Sequence, residues 1–211
     1  MQPVDPPAVR QALSAEQVDA ADPVGECRKV RGGGLHPPAL SVIEEAAVYH
    51  AVLTQYVVRT FDPGKLTPQS RRRIIVDPLT VVPWQAPNQP NPWPMNSACR
   101  GMPDLLRSTA ISFRFANRIE GAPLPRLFAL PVPVSFQSPP RGVAESRAFS
   151  VQLKDSDGYV RLSRVGFASD MSQALVLLEL SRDYGWPRGT FFLLGFNGVW
   201  RISDRWRAWA A

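Results

Sequence analysis

The sequence predicts an α+β protein. A C-terminal four-stranded antiparallel meander packs on a central helix, and a proline-rich middle segment wraps the body. Three observations carry this prediction. Four apolar runs, Tyr159–Phe167, Gln173–Ser181, Thr190–Phe196 and Val199–Trp209, follow one another with a turn signal between each pair. The last signal is Asn197-Gly198, the strongest short-range hairpin signal in a sequence. Upstream, Ser41 and Glu44 form an S-x-x-E capping box directly before a long apolar run.

The chain has 211 residues, the length of one domain with an extension. We read residues 1–38 as an N-terminal extension, partly flexible, and residues 39–211 as a single α+β domain. Asp5 to Ala20 is a thinly apolar first helix, with Asp5 as its cap and Pro6 and Pro7 in its first turn. A loop with Gly32-Gly33-Gly34 follows. It lacks the strand before, the helix after and the Gly-Lys-Ser/Thr that a phosphate-cradling loop needs.

The Ser41–Phe61 helix is the strongest helical prediction. Ile43, Ala46, Ala47, His50, Leu53, Val57, Val58 and Phe61 recur at helical spacing, and Val48, Tyr49, Val52 and Tyr56 make the other side apolar too. A helix apolar nearly all round is buried on more than one face. It therefore lies beneath other segments or in an oligomer interface. Asp62-Pro63-Gly64 ends it. Arg71-Arg72-Arg73 enters a short strand, Ile74 to Val76, which Asp77-Pro78 interrupts.

From Pro83 to Arg100 the chain is irregular, with five prolines, three asparagines, Trp84 and Trp93. Its tryptophans pin the loop to the body. A helix runs from Pro103 to about Asn117. The segment Arg126–Phe136 is extended, and Pro131 and Pro133 confine it to a sheet edge. A short helix spans Val143 to Leu153.

In the meander, Val160 and Leu162 share one face while Val165 and Phe167 share the other. Strict alternation cannot bury both pairs together, so the spacing predicts a bulge near Ser163-Arg164. The second and third strands are apolar on both faces and form the sheet centre. In the last strand Trp200, Ile202, Trp206 and Ala208 fall on one face, with Asp204 among them placed at the sheet's end to pair with an arginine. Arg201, Ser203, Arg205, Arg207 and Trp209 fall on the other, as a basic and aromatic stripe.

The series LSRVGF, QALVLLEL, GTFFLL and NGVWRI, with a terminal Trp, resembles the C-terminal pattern of an uncharacterised bacterial protein family. That pattern is a strand ending in Gly-Phe, a Gln-Ala-rich strand and a closing hairpin. The segments VYHAVL and IIVDPLT are similar to what such proteins carry upstream. Many relatives in that family carry two cysteines in the loop between the middle strands. Here that loop, Arg182 to Arg188, has none, so no disulfide or metal role carries over to it. The resemblance implies the fold and no activity.

Composition narrows function further. The formal charge is +6, but only Lys29, Lys65 and Lys154 are lysine against 21 arginines. Lysine serves as well for a phosphate-seeking point charge, so this bias speaks for coding preference rather than for a nucleic-acid ligand. No apolar run is long enough for a membrane span. Met1 to Ala21 lacks the basic start and apolar core of a secretory signal, so the expectation is a soluble chain, with a periplasmic or cell-envelope place left open. Cys27 and Cys99 either pair in an oxidising compartment or are both buried thiols, and the thiol reading is the expectation.

Neither a metal cluster nor a cofactor motif stands out, and the expectation is none. Of the two histidines, His36 and His50, the second has Glu44 and Glu45 as its nearest acids, six and five positions away, so neither shares its face, and no G-x-S-x-G elbow occurs. His50 reads as a structural histidine on the buried helix. Glu179, an acid inside an apolar strand, is the carboxylate to inspect, with an ion pair as its simplest role. Candidate binding residues are therefore Arg205, Arg207 and Trp209 on the outer stripe, with Arg164, Glu179 and His50. The expected function is a non-catalytic binding or protein-interaction module, partnered by another protein or by a second copy. The alternative is a small-ligand binder or hydrolase-type enzyme with a pocket between helix and sheet.

Overall fold

The computed structural model describes residues 42–58, 73–81, 99–118, 121–126, 130, 132–138, 156–181 and 188–210. The first predicted helix, the triglycine loop, Ser41, the end of the central helix, Trp84, Trp93, the Val143–Leu153 helix and the Arg182 to Pro187 loop lie outside these residues.

The architecture is mixed helix and sheet. The strands are β1 (Arg73–Val76), β2 (Val134–Phe136), β3 (Ser156–Leu162), β4 (Gly166–Phe167), β5 (Gln173–Ser181), β6 (Arg188–Phe196) and β7 (Trp200–Ala210). They make one seven-stranded sheet in the order β2-β1-β3-β5-β6-β7, with β4 also paired to β5. β3 and β4, β5, β6 and β7 pair antiparallel in chain order.

β1, however, runs parallel to both β2 and β3, so the sheet is mixed rather than antiparallel throughout. Parallel partners need a long crossover, and no local turn signal announces one. β2 lies at the sheet edge, where Pro133 withholds no ladder donor.

The central helix α1 spans Val42–Val52 and continues as a π-helical segment, Leu53–Val58. It covers one sheet face. Val48, Val52, Leu53 and Val57 pack there against Ile74, Val76, Val160, Leu162, Val176 and Phe192. A second helix, α2 (Arg107–Ala116), covers the other face over Leu175, Leu177, Phe191 and Leu193. Both faces of β5 and β6 are thereby removed from water, which is why their sequences do not alternate. α2 starts later than Pro103 because the Gln173 amide holds the preceding turn: its Oε1 accepts the Leu106 N–H at 2.8 Å and its Nε2 donates to the Asp104 carbonyl at 3.0 Å.

The sheet strand is interrupted at residues 163–165, between β3 and β4. This extra length turns Val165 and Phe167 onto the same face as Val160 and Leu162, and all four join one core. At the other hairpin, Gly198 takes φ +74°, a left-handed conformation that costs glycine little.

Cys99 is buried against α2 and disulfide-bonded, so the thiol expectation fails. The chain's other cysteine, Cys27, lies outside the described residues. Nothing in the residues around Cys99 marks the bond.

Candidate functional site

At the interruption Ser163–Val165 only the Ser163 N–H keeps a backbone partner on β5, the Leu177 carbonyl at 3.0 Å, and the other buried backbone groups must find others. Side chains from both helices supply them. From α1, Glu45 is only 1% exposed, yet its Oε1 receives the Arg164 Nε at 2.7 Å and the Val165 N–H at 3.0 Å. Tyr49, one turn later, sets its hydroxyl 2.9 Å from Glu45 Oε1 and 2.8 Å from the Ser163 carbonyl oxygen. Burial, reinforced by the Glu45 charge, holds the Tyr49 phenol well above its ordinary pKa, so it stays a donor.

Asn117, at the end of α2, pairs with Arg164 as a strand would. Its Oδ1 accepts the Arg164 N–H at 2.8 Å and its Nδ2 donates to the Arg164 carbonyl at 3.0 Å. Ser163 Oγ donates to the Arg164 carbonyl and accepts the Leu177 N–H. Glu45, Tyr49, Asn117 and Ser163 thus hold the bulge, and its charges are spent on doing so.

A second charged group forms on the α2 side of the sheet. Arg161 Nη1 donates to Glu179 Oε2 at 3.0 Å, and its Nε lies 3.5 Å from Asp77 Oδ2. Tyr159 donates to the same Asp77 oxygen at 2.7 Å. The Arg161 side chain is 38% exposed while both carboxylates are buried beneath it.

Burial pushes the Glu179 carboxyl above its ordinary range, and the attraction of Arg161 only partly offsets this. The protonated form is therefore the one the fold favours. Its contribution is complete below the ordinary glutamate pKa of about 4.3 and is lost as pH rises through the higher folded value. We expect Glu179→Gln to gain stability relative to the parent protein as pH rises from about 4 to 7. Urea midpoints measured across that range check this; parallel curves for the two proteins contradict it.

The third region is β7, the outer strand opposite β2. Its register against β6 slips twice. Leu193 pairs with Asp204 but Leu194 with Ile202, so Ser203 is an extra residue; a second slip lies between Gly189 and Thr190. The first slip exchanges the faces. Trp200 and Ile202 pack with the α1 side, while Trp206 and Ala208 pack with the α2 side. The single Arg/Trp stripe expected from strict alternation is therefore split. Arg205 lies over the Tyr56 ring at 6.0 Å, on the α1 side, and Tyr56 in turn touches Phe192. Arg201 precedes the slip and faces away from Trp200 and Ile202.

The edge backbone of β7 is met by side chains. Gln55, in the π-helical segment, donates its Nε2–H to the Trp200 carbonyl at 3.1 Å. Its Oε1 accepts the Ile202 N–H, also at 3.1 Å. Lower down, Asp204 Oδ1 takes the Arg205 N–H at 2.7 Å. At the upper end the Trp200 indole donates to Glu44 Oε2 at 3.2 Å and its ring lies tilted against Phe196, with centroids 5.0 Å apart. Ile43, beside Glu44, is 72% exposed, and Val42, Phe196 and Val199 are exposed as well.

The six candidate residues are thus not one site. Arg205 and Arg207 are exposed on β7, where Arg207 pairs with Thr190. Trp209 is placed only by its pairing with Gly189. Arg164 belongs to the bulge and Glu179 to the Arg161 pair. His50 points to solvent, not into the helix–sheet core, because it falls on the one narrow open side of α1. Glu45, Gln55, Asp77, Tyr159 and Arg161 were not singled out from sequence. The only available signal was Glu45 and Tyr49 at i, i+4 inside an apolar helix.

Among the described residues no three His, Cys, Asp or Glu converge on a metal-sized site. No helix there is long and apolar enough to cross a membrane. No family model, no curated protein and no solved structure matches this chain, so the resemblance to an uncharacterised bacterial family gains no support from them.

Proposed function

We propose that this protein is a non-catalytic protein-interaction module that captures an extended segment of a partner on the outer edge of β7. The observation that carries the reading is the edge itself. β7 is an eleven-residue terminal strand whose Trp200 carbonyl and Ile202 N–H are directed away from β6. Backbone addition at such an edge gives affinity, and alternate side chains give specificity. The exposed apolar residues Val42, Ile43, Phe196 and Val199 around Trp200 provide the adjoining apolar contact.

The buried charges support a binding role over a catalytic one. Glu45 accepts three donors, and Cys99 is held in a disulfide, so neither is a free base or nucleophile. A disulfide persists in oxidising surroundings, which supports a periplasmic or cell-surface place. One observation favours the small-ligand or hydrolase-type alternative: Glu179, with its raised pKa, beside the half-exposed Arg161.

The probe is an eight-residue peptide of alternating Glu and Val, with a Lys/Val peptide as control. We expect the acidic peptide to bind, with tryptophan fluorescence as the readout, and Arg205→Glu/Arg207→Glu to weaken it by about tenfold. Binding untouched by that double variant contradicts the reading.

A further inference from the structure

We infer that Gln55 is an autoinhibitory side chain on the β7 edge, and that the segment which displaces it is acidic. The inference rests on the edge-capture reading and concerns how that edge is regulated. A strand added to an antiparallel edge donates one N–H and accepts one, to the two outward groups that flank a single residue. At β7 those groups are the Trp200 carbonyl and the Ile202 N–H, flanking Arg201, and the Gln55 amide already makes both bonds. A primary amide presents an N–H donor and a C=O acceptor on one edge, so one side chain meets both groups that an added strand would meet with two separate peptide units. Gln55 is thus a one-rung substitute for a strand.

The backbone around Gln55 fits this role. Leu53–Val58 is π-helical where the preceding eleven residues are α-helical. The wider turn carries one residue more than an α-turn, and such segments concentrate at functional positions. Its neighbours are fixed by the core: Leu53 and Val57 are fully buried. Gln55 is only partly buried and is held to the rest of the protein by the two β7 bonds alone among its described polar contacts.

The chemistry of the displacing segment follows from what flanks the edge. Arg201, Arg205 and Arg207 are exposed along β7, and Arg205 and Arg207 follow the slip at Ser203. The nearest carboxylates are already engaged, Asp204 on the Arg205 N–H and Glu44 on the Trp200 indole. Side chains of an added strand lie directly beside those of its neighbour, and opposite charges are favoured there while like charges are not. An extended segment with Glu or Asp at alternate positions places its acids beside Arg205 and Arg207, which share one face beyond the slip, and a basic one is repelled there.

Two measurements on the intact chain test this. The first is hydrogen exchange at the Ile202 amide. Although at a sheet edge, it is expected to be protected in the parent protein and to exchange at least about tenfold faster in Gln55→Ala. The second is the affinity for the Glu/Val peptide, expected to rise about five- to tenfold in Gln55→Ala, as the loss of two competing neutral hydrogen bonds implies. Gln55→Met keeps the length of the side chain and lacks both donor and acceptor, so it is expected to match Gln55→Ala and guards against misreading a folding defect.

Peptide binding equal in all three proteins overturns the autoinhibition and leaves the edge reading standing. No binding by the parent protein or by either variant overturns the edge reading itself. Self-association of Gln55→Ala in sedimentation, with no gain for the peptide, overturns the acidic segment in favour of a second copy of β7.

Discussion

Glu45→Ala is expected to cost about 3–5 kcal/mol, the penalty for removing one member of a buried ion pair and leaving the other uncompensated. Arg164 would lose its 2.7 Å partner, and the Val165 N–H, buried behind it, would have no acceptor. Total stability for a domain of this kind is about 5–15 kcal/mol, so this single change removes a large share of it. Urea unfolding is the measurement. Two companions separate the causes. Tyr49→Phe removes only the hydroxyl and is expected to cost about 0.5–1.5 kcal/mol. Glu45→Met combined with Arg164→Met removes both charges, and is expected to recover much of the single-variant loss because no unpaired ion remains. A Glu45→Ala protein as stable as its parent would mean that the bulge is held by Asn117 and Ser163 alone.

Gly166→Ala is expected to cost about 3 kcal/mol, at the upper end of overpacking, because the obstacle is backbone. A methyl group there would run into the backbone N and Cα of Phe113. α2 would have to lift from β4. Its Ser112 Oγ accepts the Phe167 N–H at 3.1 Å, and its Asn117 holds both backbone groups of Arg164, so the shift would strain those bonds too. Gly195→Ala is the control, since a methyl group there meets nothing within 4 Å. It is expected to stay within about 0.5 kcal/mol of the parent. Equal midpoints for the two variants would show that α2 does not press on β4 in solution.

Local features of the fold were legible in the sequence, and long-range ones were not. The Asn197-Gly198 turn, the two doubly covered strands and the break near Ser163 follow from turn chemistry and alternation, which are properties of neighbouring residues. The break was readable because two apolar pairs demanded opposite faces. The second break, at Ser203, was not. Trp200, Ile202, Trp206 and Ala208 alternate, and Asp204 among them reads as an acid paired with an arginine at the sheet's end, so the sequence satisfies a straight strand that the protein does not adopt. The parallel place of β1 and the Asp77–Arg161–Glu179 group both join residues far apart in the chain, and nothing in the residues around Cys99 marks its disulfide. Glu45 was hidden for a related reason. Beside Glu44 at the start of a helix it reads as one more favourable acid, and only the position of Arg164 in space makes it a buried partner.

The most direct test of the β7 reading is an amide chemical-shift map of the uniformly labelled protein, titrated with the Glu/Val peptide at low salt. The account predicts shifts concentrated on β7 from Arg201 to Arg207 and on the Gln55 side-chain amide, and diminished by added salt as the arginine contacts are screened. Shifts centred instead on Tyr159, Arg161 and Glu179, with β7 unmoved, would contradict it and place the binding surface on the opposite face of the sheet.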